Sequence, residues 1–555
     1  MATVLAFKDS IDLPEWRPLA VAPNAHAAGG SICSDLRNSE DRIPLIFQLA
    51  SATVFNSYFP KNDGWQPRAS PALTGTFGAG AGCVVAPSRG PRGTIAAGAT
   101  TSSVTLTTAL PAAVGINQLA DRCDGLGFKV RIIDNGVGGS GKIAEMYVIA
   151  NTGGTTPTLT LSTTPNGAPT SMGFTPVSGS AYEFLSGRVY LLSAGTLAAG
   201  VWKYYDVATN SFSGNLSTTN LPATLGTDSA LVALDETYVP NDHEPGEGFV
   251  VGASTYNAVS PAGGNLKCLV ATAAAAGSIT GQAAAGDASV LANEFRNFVI
   301  RIVEDTTNVT AVGQRRRITS HTAGPSAVYT ITGNWTVTPS ATAKFVIENN
   351  DEVLLFQATT SVYCYAQDTI GTAQTGDTWS TATYGVKGGA SAAGTLAFQA
   401  FGVPTTKLYG ATATDPNRNF RWSYVFVFRG GAANTLDVLD IAGGATGAWS
   451  NAVVYGSGPT FTTGSCGVYD PASTVSAATS GAIFYINKDA TQNFFRFNAF
   501  TRQLKAWCQI RFPQGTALVG GRLALKSFVD GTTVVTMPTV LRASGSELFD
   551  SLAQR

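Results

Sequence analysis

Arg188 to Ser213 reads RVYLLSAGTLAAGVWKYYDVATNSFS: an apolar strand, a glycine turn, an aromatic strand, and a Tyr-Asp…Thr-Asn turn that leads to a further aromatic. The same internal order recurs from Ile43 to Trp65, Val353 to Trp379, Tyr424 to Trp449 and Ala482 to Trp507. A cassette that returns along a chain means a repeat architecture, in which each unit buries its apolar faces against its neighbours. After the closing aromatic of each cassette comes a glycine-led apolar run: Gly78 to Ala86, Gly246 to Gly252, Leu396 to Val403, Gly464 to Tyr469 and Gly515 to Gly520. Such runs suit inner strands, where backbones approach closely and large side chains do not fit.

The two ends complement each other. Trp16 is followed by a glycine-containing apolar lead, RPLAVAPNAHAAGGSICSD, but no pair of strands precedes it. The far end holds LALKSFV (Leu523 to Val529) and TTVVTM (Thr532 to Met537) around Asp530-Gly531, a strong hairpin signal, with no closing Trp after it. Joined, the ends make a sixth unit, and closure removes the exposed strand edges of an open sheet. The expected fold is all-β: a six-bladed β-propeller closed by N- and C-terminal strands, with two related small β-domains inserted between blades.

The inserted segments show themselves by length and likeness. About a hundred residues separate Ala86 from Arg188, too many for a loop in a compact domain, and a similar excess separates Gly252 from Val353. Phe128 to Gly154 and Phe298 to Gly324 align at one offset of 170, which superposes Arg131 on Arg301, Thr152 on Thr322 and Gly154 on Gly324. Thr175-Pro176 and Thr338-Pro339 then lead into their cassettes alike. The expected division is 1–90 as closing strands and first blade, 91–187 as the first inserted domain, 188–276 as a blade, 277–351 as the second inserted domain, and 352–555 as the remaining blades and closing strands. Equivalent junctions of a ring lie on one face, so both insertions should project from the same side. Helical patterns are sparse: Val290 to Phe298 and Ser546 to Gln554, the latter with Ser546 as N-cap and Leu548, Phe549 and Leu552 on a side.

Composition narrows the function. The chain of 555 residues is long enough for several domains, though propellers run long as one unit. Charged residues make up 13%, and 61 glycines point to many short strands and tight turns. A net charge of −1 leaves no excess of positive charge for holding a polyphosphate backbone. The seven cysteines include no CxxC pair and sit mostly in apolar runs, which fits buried thiols. The N-terminus has neither a basic start nor an apolar core of a signal peptide, and no run approaches the roughly 20 apolar residues of a membrane helix. Synthesis in a cytoplasm is the expectation.

Several motifs invite chemistry and have plainer explanations. GVGGSGKI (Gly136 to Ile143) contains the glycines and lysine of a phosphate loop, but Ile143 stands where a magnesium-binding hydroxyl is needed, and IAEMYVIA behind it reads as a strand rather than a helix. His26, His243 and His321 lack metal-ligand spacing. Asp235 to Glu247 gathers carboxylates of the kind calcium favours, yet Pro240 and Pro245 mark an exposed connection. Gly376 to Ser380 is similar to the aspartate box of sialidases without its full register, and the expected inner strands carry no arginine. No catalytic residue, metal ligand or cofactor is therefore assigned. As contacts to another copy or a partner, the sequence nominates Arg315, Arg316 and Arg317, for which a charged strand edge is the commoner explanation, and Phe549 and Leu552 of the C-terminal segment.

VWKYYDVATNSFSGNL (Val201 to Leu216) and GAIFYINKDATQNFFRF (Gly481 to Phe497) resemble kelch-like propellers. PRGTIAAGATTSSVTLTTALP (Pro91 to Pro111) and HTAGPSAVYTITGNWTVTPSATAKFVIEN (His321 to Asn349) look like structural proteins of tailed bacteriophages. Within that group a propeller with inserted β-domains resembles the nozzle, or tail tubular protein, of short-tailed phages. The resemblance implies a non-enzymatic virion protein in a homo-oligomeric ring of about six copies, touching portal, adaptor and fibre proteins and passing DNA without sequence specificity. The alternative is a receptor- or glycan-binding propeller on a fibre or capsid surface, for which Trp202, Tyr204 and Tyr205 would be the aromatic face. A sugar-cleaving enzyme is disfavoured by the missing acid pairs.

Overall fold

The computed structural model describes residues 16–25, 30–34, 46–59, 62–75, 77–78, 80–86, 89–121, 127–226, 229–234, 265–282, 292–348, 352–366, 378–401, 423–431, 434–454, 460–462, 465–470, 483–488, 493–498, 503–508, 522–530, 533–541 and 548–551. The chain is all-β and antiparallel throughout its named sheets, and no helix among the described residues is long and apolar enough to cross a membrane.

Among the described residues, six sheets have four strands each. Sheet I is Ser31–Ser34, Ile46–Ser51, Val54–Phe59 and Gly64–Pro67; sheet II is Gly82–Ala86, Arg188–Leu192, Trp202–Asp206 and Ser211–Phe212. Sheet III is Ala230–Leu234, Glu352–Phe356, Val362–Ala366 and Thr378–Ser380; sheet IV is Leu396–Phe401, Ser423–Phe428, Thr435–Asp440 and Ala448–Val454. Sheet V is Cys466–Asp470, Ile483–Lys488, Asn493–Asn498 and Gln503–Cys508. Sheet VI joins the ends: Arg522–Asp530, Thr533–Leu541 and Leu548–Ser551 are followed by Trp16–Pro18, with Trp16 opposite Ser551 and Pro18 opposite Phe549. The first strand of each sheet packs on the first strands of its two neighbours, from sheet I through to sheet VI and back to sheet I.

Two departures from expectation follow from register. The first strand of sheet III is Ala230–Leu234, paired from Leu234 opposite Glu352 to Ala230 opposite Phe356; Gly246 to Gly252 lies outside the described residues. That of sheet VI is Arg522–Asp530, the hairpin strand itself, while Gly515 to Gly520 also lies outside them. The C-terminal segment is a strand at Leu548–Ser551, because an ordered edge at Thr533–Leu541 offers backbone partners that two isolated helical turns cannot match. Residues 292–297 form turns, with Asn293 and Asn297 at φ of 61° and 68°, a left-handed geometry that no α-helix admits.

The cassette turn has a local cause. Asp206 closes its strand and accepts hydrogen bonds from the Thr209 N–H at 3.2 Å and Thr209 Oγ1 at 3.1 Å. Asn210 takes the left-handed position at φ 53°, and its Oδ1 accepts from the Tyr205 hydroxyl at 2.7 Å. Trp202 and Tyr205 are fully buried in different clusters, Tyr204 lies under the Arg188 guanidinium 4.2 Å from its ring centroid, and Trp202 stacks on Tyr190 and meets Trp379 of sheet III at 5.1 Å. Of the three aromatic residues, Trp202 packs between sheets II and III, Tyr205 packs against Phe47 and Phe55 of sheet I, and Tyr204 is half-buried.

The inserted segments form two six-stranded modules. The first runs Arg92–Thr94, Ala181–Phe184, Lys129–Ile133, Ile143–Asn151, Thr158–Ser162 and Ser103–Thr105, and the Ile95↔Leu106 bridge brings its two end strands together. The second is a closed barrel of Asn265–Ala275, Ser278–Gln282, Ser326–Ile331, Arg315–His321, Val299–Glu304 and Lys344–Glu348, so it begins ahead of residue 277. Matched strand by strand in chain order, the two have one cyclic neighbour order. We refer to them as the first and second barrels.

Neither barrel stands apart from the sheets. Val130, Ile132, Val148 and Leu161 of the first barrel share one buried cluster with Phe47 and Phe55 of sheet I and Val189 and Tyr205 of sheet II. Ile300, Ile302, Tyr329 and Phe345 of the second share another with Leu354 and Phe356 of sheet III and Val425 and Leu439 of sheet IV. Continuous apolar burial of this kind holds each barrel against a pair of sheets. Removing residues 1–18 uncovers the Leu548–Ser551 edge in sheet VI; the truncated chain is expected to unfold at lower temperature and self-associate in light scattering, whereas unchanged behaviour would mean that the end strand carries no closure.

Candidate functional site: the junction of the two barrels

The hairpins between the third and fourth strands of each barrel meet each other. In the first, the GVGGSGKI loop is a turn around its own anion: Asp134 accepts from the Ser140 N–H at 2.5 Å, the Val177 N–H at 3.0 Å and the Ser180 hydroxyl at 2.7 Å. Backbone N–H groups so arranged form the kind of nest that binds phosphate in other loops, and here a side-chain carboxylate fills it. The second barrel repeats the device with Asp305, which accepts from the N–H groups of Thr307 at 3.1 Å, Asn308 at 2.8 Å and Ser340 at 2.7 Å. Val177 and Ser340 each follow the Thr-Pro pair, which accounts for that shared spacing.

Beneath the hairpins runs a chain of alternating charges, buried except for the half-buried Glu183 at its centre. Arg131 Nη2 lies 3.0 Å from Glu145, and its Nη1 lies 2.9 Å from Glu183. The same Glu183 carboxylate oxygen receives Arg301 of the second barrel at 3.2 Å, and Arg301 pairs in turn with Glu348 at 3.0 Å. Glu348 also faces Arg315 at 3.6 Å. Burial pushes the Glu145 carboxyl above its usual range, against the pull of Arg131, Lys129 and Arg301. The offset of 170 that superposes Arg131 on Arg301 also superposes Glu145 on Arg315, and both pairs sit directly opposite in register. One position has reversed its charge, and Glu348 supplies the counter-charge that the reversal requires.

Arg315 and Arg317 therefore point inward. They are 7% and 5% exposed, and Arg317 pairs with Glu352 of sheet III beside Tyr384, whose hydroxyl donates to Glu352 at 2.9 Å. Arg316, half-buried, lies over the Trp335 ring and donates to Asn334 O at 2.9 Å and Thr336 Oγ1 at 2.9 Å. Contact with a partner by Arg315 and Arg317 is corrected to an internal role, because their counter-charges come from strands far away in sequence. Phe549 lies on the joining strand opposite Pro18 and Val540; Leu552 lies outside the described residues.

A second repeated device locks each barrel's far end. Asn117 and Asn151 exchange backbone and side-chain bonds (2.8 and 3.2 Å), and Asn151 Oδ1 accepts from the Leu119 N–H at 2.8 Å. In the second barrel Asn293 and His321 do the same at 3.0 and 2.9 Å, with His321 Nε2 accepting from the Phe295 N–H at 2.8 Å. An accepting Nε2 leaves the hydrogen on Nδ1, which donates to Thr322 O at 2.9 Å. Burial holds this imidazole below its ordinary range. No spacing rule nominated these residues, although the offset already superposed Asn151 on His321. His26, His243 and Asp235 to Glu247 lie outside the described residues, among which no cluster of three or more His, Cys, Asp or Glu is placed to hold a metal.

No family model matches the chain, and no curated protein matches it. Among solved structures, an auxiliary nutrient binding protein from Bacteroides thetaiotaomicron is similar at 8% identity with a TM-score of 0.22, over 78% of this chain and 93% of that one.

The arrangement immobilises. Arg317→Met, which takes the guanidinium away from buried Glu352, is expected to cost about 3–5 kcal/mol in denaturant unfolding, and Arg315→Met less, because Arg301 still holds Glu348. Arg316→Met should cost about 1 kcal/mol; equal and negligible losses at all three would restore an outward role. Because the folded-state pKa of His321 lies below its unfolded value, its contribution is present above about pH 6.5 and is lost as pH falls below that value. His321→Asn, which installs the first barrel's residue, is expected to fold and to flatten that acid-side loss in thermal melts between pH 5 and 7, as estimated from the ordinary histidine range.

Proposed function

We propose that the chain is a structural virion protein of a tailed phage, building a ring or tube in the tail, as nozzle or neck component, that channels DNA and anchors fibres. In this reading the six sheets are the blades of a propeller and the joined barrels are its outgrowth. The observation that carries it is the pairing of Trp16–Pro18 with Leu548–Ser551 in a cyclic series of sheets. A platform without a free end strand at its closure keeps its shape under load and does not recruit strands at random. Two barrels sharing cores with four of its sheets add a stiff projection, the kind of surface that heterologous contacts use to close a ring. A net charge of −1 suits a wall past which DNA slides without adhering. The likeness of the cassettes and inserted segments to phage structural proteins supports the same reading. Its partners would be further copies of itself, the portal or adaptor, and fibre proteins, with synthesis in the host cytoplasm and residence in the virion tail.

Multi-angle light scattering of the purified chain, alone and with particle extracts, should give a ring of about six copies. A strict monomer under all conditions, together with binding on a glycan array, would replace this reading with a receptor- or glycan-binding propeller.

A further inference from the structure

The contacts between the barrels obey a pseudo-twofold relation. On one side of the junction, Asp305 N–H donates to Gly141 O at 2.8 Å, and Lys142 forms an antiparallel bridge with Glu304. On the other, Asn135 Nδ2 donates to Val312 O at 3.0 Å, and a Cβ added at Gly313 would sit 3.0 Å from Ile133 Cγ2. The offset of 170 carries Lys142 to Val312 and Asn135 to Asp305. Positions 133–135 of the first hairpin therefore meet 312–313 of the second, while positions 141–142 of the first meet 304–305 of the second. The same two patches appear on both partners with their roles exchanged. That exchange defines an isologous contact, the geometry of a twofold homodimer, and Glu183 sits between the equivalent Arg131 and Arg301 at the same junction.

We infer that this hairpin face is a homotypic docking surface, whose partner is another barrel of the same kind, and that the tandem barrels are a dimer made within one chain. An isologous contact uses up both faces when it closes, so in the folded chain each barrel occupies its sibling. A face that recognises its own kind will also recognise the equivalent barrel of a second copy when both are presented before closure. The inference stands independently of the virion reading, since it concerns only how barrel meets barrel.

The Lys142·Glu304 pair supplies the test. Flanked by the Gly141–Asp305 bond, it is a non-hydrogen-bonded antiparallel pair, a class with Cα atoms about 4.5 Å apart, within disulfide range. Full-length Lys142→Cys and Glu304→Cys chains are denatured under reducing conditions and refolded together at high protein concentration with oxidised glutathione. The glutathione accepts the two thiol hydrogens and is reduced to two molecules of glutathione as the disulfide forms. Peptide mass mapping should find the interchain 142–304 disulfide about tenfold above its level when the two variants are folded separately and then mixed, because the tether gives the sibling a high effective concentration once folding is complete. The double variant, refolded dilute, should form the same disulfide within one chain. Intrachain closure without any interchain 142–304 product at high concentration would overturn the inference, showing that the tether alone makes the contact. Failure of the double variant to close would overturn it as well.

Discussion

The rest of the structure depends on backbone pairing at the closing sheet, where Trp16–Pro18 from one end of the chain lies against Phe549–Ser551 from the other. Each four-stranded sheet packs its first strand on the first strands of two neighbours. Such a cyclic series has no favourable stopping point short of return, because any sheet left at an end would expose the side that its counterparts bury. Pairing the termini commits the two ends together, so that sheets I and VI are held by the same strand interactions that hold every other sheet internally.

On this frame the barrels are supports as much as attachments. Each continues the apolar core of two adjacent sheets, the first with I and II and the second with III and IV. The junction between them then bridges the two halves of that core, and Ile133 of the first barrel already belongs to the second barrel's cluster. Burying alternating guanidinium and carboxylate groups there adds little net stability over apolar packing but penalises any displacement that separates one charge from its neighbours. The charge reversal between Glu145 and Arg315 leaves the strand register unchanged, and Glu348 stands beside the reversed position. Conservation of shape with exchange of charge is the expected outcome where packing sets the fold and pairing sets only local compatibility.

The sequence by itself determined the strand cassettes, the hairpin at Asp530-Gly531, the duplication at an offset of 170 and the joining of the ends, since period-two alternation, turn residues and internal likeness are local properties that survive without tertiary context. It misplaced the first strand of sheet III because GEGFVVG and ALVAL are both short apolar runs, and only the register opposite Glu352–Phe356 chooses between them. It took Leu548 and its neighbours for a helix because a segment that short carries both patterns. Tertiary structure alone decided the rest. The inward role of Arg315 and Arg317 is not legible in the sequence because their counter-ions, Glu348 and Glu352, come from strands more than thirty residues further on; Asp134 and Asp305 become the anions of their own nests through Val177 and Ser340. The physical reason is common to all of these: a charge or a donor has no meaning for the fold until its partner arrives, and these partners arrive only when the barrels close.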